Sequence, residues 1–141
     1  MSEITQKGSC LCEAVEFRLT GEPENIFICY CSHCSKGAGG SNQISAKYKA
    51  EQLKIVKGED ATTTYVLNGT LSGAPKHKVF CSICGCTLWT IPMKHGGSHT
   101  IVRTAMISDG LSSLKPRVEF FSSYKVEYPD EIKSFPTMPG H

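Results

Sequence analysis

Eight cysteines fall in three tight groups along a chain of 141 residues: Cys10-x-Cys12, Cys29-x-Cys31-x-x-Cys34 and Cys81-x-x-Cys84-x-Cys86. So many thiols admit two readings, a disulfide framework in an oxidising compartment or thiolates gathered on metal in a reducing one. Spacing separates them. Cysteines two or three residues apart pair with one another only under strain, whereas a tetrahedral ion draws sulfurs in at about 2.3 Å. Met1 to Gly8 is polar, without the apolar run of a secretory signal, and no stretch has the length of a membrane span. The expectation is a cytoplasmic protein that holds zinc rather than disulfides.

The length suits a single domain covering 1–141. With 40% hydrophobic and 20% charged residues the chain reads as a globular protein, neither membrane-embedded nor disordered. Fifteen basic and 13 acidic side chains give a net charge of +2, and the lysines are scattered along the sequence. That distribution lacks the dense basic stripe that nucleic-acid binding needs. Nothing in the pattern specifies an oligomeric state.

Periodicity predicts an all-β protein of short antiparallel strands with almost no helix. Candidate strands are 13–19, 26–30, 42–46, 53–56, 62–67, 76–80, 87–91, 99–104 and 117–121, separated by turn signals such as Lys57-Gly-Glu-Asp60, Asn68-Gly69 and Asp109-Gly110. Trp89 with Leu88 and Ile91 is expected in the core. The tail from Tyr128 to His141, with three prolines, reads as irregular.

A closed structural zinc site takes four protein donors, and a catalytic one takes three plus an open position. In a strand residues two apart share a face, so Cys10 and Cys12 can both reach one ion. Cys81 and Cys84, followed by Gly85, have the form of a zinc knuckle, in which glycine permits the tight turn. Joining these pairs would clip the N-terminus to a hairpin far along the chain. Cys29, Cys31 and Cys34 offer three thiolates within six residues. Spacing leaves the partition open: Cys86 can join the triad, and the two pairs can exchange between ions.

The strings Gly8-Ser-Cys10-Leu-Cys12-Glu-Ala-Val-Glu-Phe17, Cys29-Tyr-Cys31-Ser-His-Cys34 with Gly37-Ala-Gly-Gly-Ser41 following, and Phe80-Cys81-Ser-Ile-Cys84-Gly85 resemble the glutathione-dependent formaldehyde-activating enzyme family, whose relatives include centromere protein V. The resemblance runs from about residue 8 to 128. It implies a β-tent fold with two zinc ions per chain: a structural zinc on Cys10, Cys12, Cys81 and Cys84, and a catalytic zinc on Cys29, Cys31 and Cys34. The implied activity is that of an S-(hydroxymethyl)glutathione synthase-like carbon–sulfur lyase with glutathione as partner. Cys86 departs from the family pattern, as do Ala105 and Tyr128. As a fourth thiolate Cys86 would close the catalytic position; otherwise it is a bystander thiol or a small buried residue.

Around the triad, His33 is a candidate to donate to a thiolate or shuttle a proton. Gly39 and Gly40 are candidates to offer backbone amides to glutathione, and Arg103 to pair one of its carboxylates. Two other functions compete: a structural di-zinc binding module without catalysis, and a lyase acting on another thiol conjugate.

Overall fold

A computed structural model describes residues 4–134. Among these, ten strands form two sheets. The smaller has the order β1 (Thr5–Ser9), β2 (Glu16–Thr20), β5 (Leu53–Lys57). The larger runs β10 (Val118–Phe120), β3 (Asn25–Cys29), β4 (Gln43–Lys49), β9 (His99–Arg103), β8 (Thr87–Pro92), β7 (Lys76–Cys81), β6 (Thr62–Leu67). No helix among the described residues is long and apolar enough to cross a membrane.

Two departures from the sequence pattern stand out. β10 pairs with β3 in parallel, so the larger sheet is not wholly antiparallel. A seven-residue helix α1 (Ser32–Ala38) and a single turn α2 (Gly110–Ser113) interrupt the strands. Cys10 and Cys12 also lie beyond the end of β1, in a turn rather than on a strand. There the Cys10 amide donates to the Val15 carbonyl (3.1 Å), the Glu13 amide donates to the Cys10 carbonyl (3.2 Å), and Glu13 takes φ +63°.

Strand alternation gives the sheets their inner faces. From β2, Phe17 and Leu19 point inward, joined by Val15, and all three are fully buried. They meet Ala46, Tyr48, Val102 and Trp89 of the larger sheet in one core cluster. The Phe17 and Trp89 rings pack edge to face with centroids 5.3 Å apart, an arrangement worth roughly 1 kcal/mol beyond the area buried. β1 carries almost no apolar side chain; it is held by its ladder to β2, with Gly8 opposite Phe17.

Gly58 fixes how β5 leaves the small sheet. It has φ +82°, and a Cβ there would overlap the Ala14 carbonyl. Gly58→Ala therefore combines left-handed strain with a backbone collision, and a loss of roughly 2 kcal/mol or more is expected, read as a lowered midpoint in thermal unfolding.

The opposite face of the larger sheet looks away from this core. Cys29 on β3, Gln43 and Ser45 on β4, Arg103 on β9, Thr90 on β8 and Lys78 on β7 all line one cavity of about 580 Å³. Period-two alternation thus puts an apolar core on one side of the sheet and, on the other, a cavity lined by both polar and apolar side chains.

Candidate metal centres and the adjoining cavity

The fold gathers seven of the eight thiols into two groups. In the first, Cys10, Cys12, Cys81 and Cys84 have sulfurs within 4.8 Å of one another. The Cys10 and Cys12 sulfurs are 3.6 Å apart, and those of Cys12 and Cys81 3.7 Å. Such spacings are far beyond a disulfide bond. They match the edge of about 3.8 Å expected for a tetrahedron with 2.3 Å metal–sulfur bonds. The donor set and its dimensions fit a closed metal site.

Backbone amides support these sulfurs. Val15 donates to Cys10 Sγ (3.4 Å), and Ile83 and Cys84 donate to Cys81 Sγ (3.4 and 3.5 Å). Gly85, at φ +79°, donates to the Cys81 carbonyl at 2.8 Å and so closes the knuckle. Amides of Cys86 and Cys12 bring the Cys84 thiol down to about 6, and the Cys84 amide leads the lowering at Cys81. A depressed pKa favours the thiolate, the form that ligates metal, at Cys84 and Cys81, whereas at Cys12 the Ala14 amide is outweighed by burial and by the neighbouring thiols, which push it up to about 12.

The second group is Cys29, Cys31 and Cys34, again within 4.8 Å. Cys29 ends β3, and Cys31 is the N-cap of α1, its sulfur accepting from the Cys34 amide (3.4 Å). Gly39, in the left-handed region at φ 72°, terminates the helix. One turn of helix therefore carries Cys34 back over the end of the strand. Burial pushes the Cys34 and Cys29 thiols up. At Cys31 burial acts the same way, but the amides of Cys34 and His33 and the neighbouring thiols outweigh it and lower the pKa. Three sulfurs facing a cavity fit a metal with one coordination position open.

Cys86 does not join the triad. The turn of residues 81–86 folds back on itself, with the Cys81 amide donating to the Cys86 carbonyl at 2.9 Å. The Cys86 thiol is pushed up first by burial and then by Cys84 and Cys10, so its surroundings are those of the four-cysteine group. It packs against the core, on the other side of the sheet from the cavity. Of the two readings of Cys86, this placement favours the bystander thiol over a fourth ligand to the triad.

His33 sits exposed on α1 at the cavity wall, and it is its backbone amide that serves Cys31. Gly39 and Gly40 are exposed and are not among the residues lining the cavity, which Gly37 reaches instead. Arg103 is 9% exposed on the cavity floor. Its Nη2 donates to Thr90 Oγ1 (2.8 Å) and its Nη1 to the Ile101 carbonyl (3.3 Å), while Nε has no partner. Burial lowers its pKa to about 10, which leaves it charged, and Cys34 and Cys29 act in the opposite sense.

Lys78 escaped the sequence reading. Its ammonium lies against Gly37, and burial with Arg103 nearby lowers its pKa while Cys34 raises it. Alternation on β7 carried the signal, because Lys76 and Lys78 share the face opposite buried Val79. Two cations thus flank the thiols of the triad.

Known proteins resemble this chain in sequence and in fold. A protein of Halomonas elongata with the provisional name of glutathione-dependent formaldehyde-activating enzyme is 39% identical over 87 residues, 59% of this chain and 54% of that protein. The chain thus spans about half the length of this curated relative. A crystal structure of a Rhodobacter sphaeroides protein superposes with a TM-score of 0.60 over 80% of this chain and 98% of that one, at 24% identity, which shows a shared fold. The model of the glutathione-dependent formaldehyde-activating enzyme family matches residues 5–124, both cysteine groups included, and the chain belongs to that family.

Proposed function

We propose that the chain holds zinc at both cysteine groups and uses the triad to join glutathione to formaldehyde, giving S-(hydroxymethyl)glutathione. The observation that carries this reading is the contrast between a group of four thiols, enough to close a tetrahedral site, and a group of three that lines a cavity. Zinc at the triad would supply an open position at which a thiol loses its proton near neutral pH. In the reaction the sulfur lone pair attacks the carbonyl carbon and forms the carbon–sulfur bond. The carbonyl oxygen takes up the proton released by the thiol. The reverse step breaks that bond, the chemistry of a carbon–sulfur lyase.

The protein's own groups have definite parts in this scheme. Cys29, Cys31 and Cys34 hold the metal, while Cys10, Cys12, Cys81 and Cys84 hold the fold. Arg103 and Lys78 offset the negative charge that accumulates when a further thiolate joins three others. His33, at the cavity wall, is placed to pass a proton to solvent. Thiolates kept free of disulfides suit a reducing cytoplasm.

The test is exchange spectroscopy by NMR on carbon-13 formaldehyde with glutathione. Zinc-loaded protein should speed interconversion with the adduct well above the spontaneous rate, and a strong chelator should abolish the gain. Protein with two zinc ions per chain and no acceleration would leave the structural-module reading in its place.

A further inference from the structure

An edge strand presents unpaired amides and carbonyls, which proteins blunt with charge, proline, brevity or a covering segment. Three of the four sheet edges here are blunted. β5 carries Lys54 and Lys57, and β10 is three residues long with Glu119 at its centre. β1 is bridged at Gly8 by Ile107, and its Lys7 carbonyl accepts from the Ser108 amide (2.8 Å). β6 is bare. Thr62–Leu67 has six residues without charge, proline or glycine, and among the described residues no strand pairs with its outer side. Tyr65 and Val66 stand 57% and 46% exposed on it.

Register shows which backbone groups are free. β6 runs antiparallel to β7 with Thr62 opposite Cys81, and one residue earlier the Ser82 amide donates to the Ala61 carbonyl (2.7 Å). In such a ladder residues alternate between bonding inward and facing outward. Thr63, Tyr65 and Leu67 therefore bond to β7, while Thr62, Thr64 and Val66 turn outward. The Thr62 amide is already spent on the Glu59 carbonyl. What remains is the Thr62 carbonyl, with both backbone groups of Thr64 and of Val66.

A second β6 laid antiparallel and centred on Thr64 answers this pattern. Thr64 exchanges two bonds with Thr64 of the second copy, each Val66 amide reaches the other copy's Thr62 carbonyl, and only the Val66 carbonyls are left to water. The two-fold axis of such a pair is normal to the sheet, so each face continues into the same face of the other copy. Tyr65 of the second copy then stands opposite Thr63. A pocket of about 320 Å³ opens there, lined by Thr63, Lys78, Phe80, Gly85 and Thr87 among others. Phe80 and the Lys78 stem suit an aromatic ring, so one strand carries both the knob and its socket. The ends match in charge as well. Exposed Glu59 and Asp60 precede β6, and Lys76 stands opposite Leu67 at its far end, so antiparallel alignment brings the acidic start of each copy beside the basic end of the other.

From this geometry we infer that β6 is a self-association edge, where two copies join β6 to β6 about a two-fold axis and Tyr65 of each enters the pocket of the other. Lys78 lines both that pocket and the triad cavity, so the second copy's Tyr65 adjoins the cavity wall. The contact does not depend on the chemistry of the triad. As a small interface it should dissociate in a range on the order of 10 μM.

Sedimentation velocity on the zinc-loaded chain, from about 1 to about 200 μM, reads the mass across that range. Wild type should pass from monomer to dimer, and amide exchange followed by NMR should slow at Thr64 and Val66 over the same concentrations, a result that needs no variant. Thr64→Pro removes an outward amide while sparing the ladder to β7, and Thr64→Lys puts charge at the centre of the edge. Both should stay monomeric throughout, with thermal midpoints within about 2 °C of wild type. Tyr65→Ala should weaken the dimer about tenfold. Val56→Lys, on exposed β5, should leave it unchanged. A wild type that stays monomeric, or a dimer that survives both Thr64 variants, overturns the β6 edge. A monomer whose Thr64 and Val66 amides are protected at every concentration assigns the cover to a segment of the same chain and overturns the second copy.

Discussion

Cys81→Ser is expected to lower the thermal midpoint by on the order of 10 °C or more and to remove one of two zinc ions per chain. Cys81 is fully buried, and its sulfur lies 3.7 Å from that of Cys12, a residue 69 positions earlier. The cluster thus fastens the turn between β1 and β2 to the hairpin of β7 and β8, one from each sheet. Structural zinc contributes about 10–16 kcal/mol of apparent binding energy, which in such a site is also folding energy. Loss of one thiolate of four forfeits several kcal/mol of it, at a few degrees per kcal/mol for a chain of this size. The serine hydroxyl also leaves the Ile83 and Cys84 amides with a shorter, misplaced acceptor. Thermal unfolding alongside elemental analysis checks this, and a shift under 2 °C with two zinc ions retained would show that the cluster does not staple the fold.

The residues that made this legible from sequence are those whose partners are close in the chain or obey a short period. β6 occupies 62–67 as the alternation indicates, because turn residues bound it on both sides. The cysteine groups are legible for the same reason: each supplies its ligands within a few residues. β1 is not, since Thr5–Ser9 has no apolar alternation and is set by register with β2 and by the room Gly8 leaves for the Phe17 ring. α1 was hidden because its N-cap is a cysteine, outside the usual Ser, Thr, Asp and Asn. The parallel pairing of β10 depends on a chain reversal through α2 that no local pattern announces. The polar face of β4 is the instructive case. Gln43, Ser45 and Lys47 alternate as a solvent-facing strand would, yet Gln43 and Ser45 are buried, because that face lines the cavity instead of open solvent.

Cys31→Ser is expected to leave the fold nearly intact while reducing the rate with glutathione and formaldehyde by at least a hundredfold and zinc content from two ions to one. The substitution isolates the thiolate because serine is among the best N-caps. Its hydroxyl can accept from the Cys34 amide as the Cys31 sulfur does, so α1 keeps its start. No residue of α1 is buried, so little packing depends on the helix. What is lost is one of three sulfurs at a site where burial already disfavours the thiolates of Cys29 and Cys34. Two thiolates form a much weaker zinc site, and burial then returns them to the neutral form. Arg103 and Lys78 remain in place without the negative charge they face. The same two measurements used for Cys81→Ser, with the exchange rate added, give the result. A rate within tenfold of wild type would remove the triad from the chemistry, and a midpoint falling as far as in Cys81→Ser would make both clusters structural.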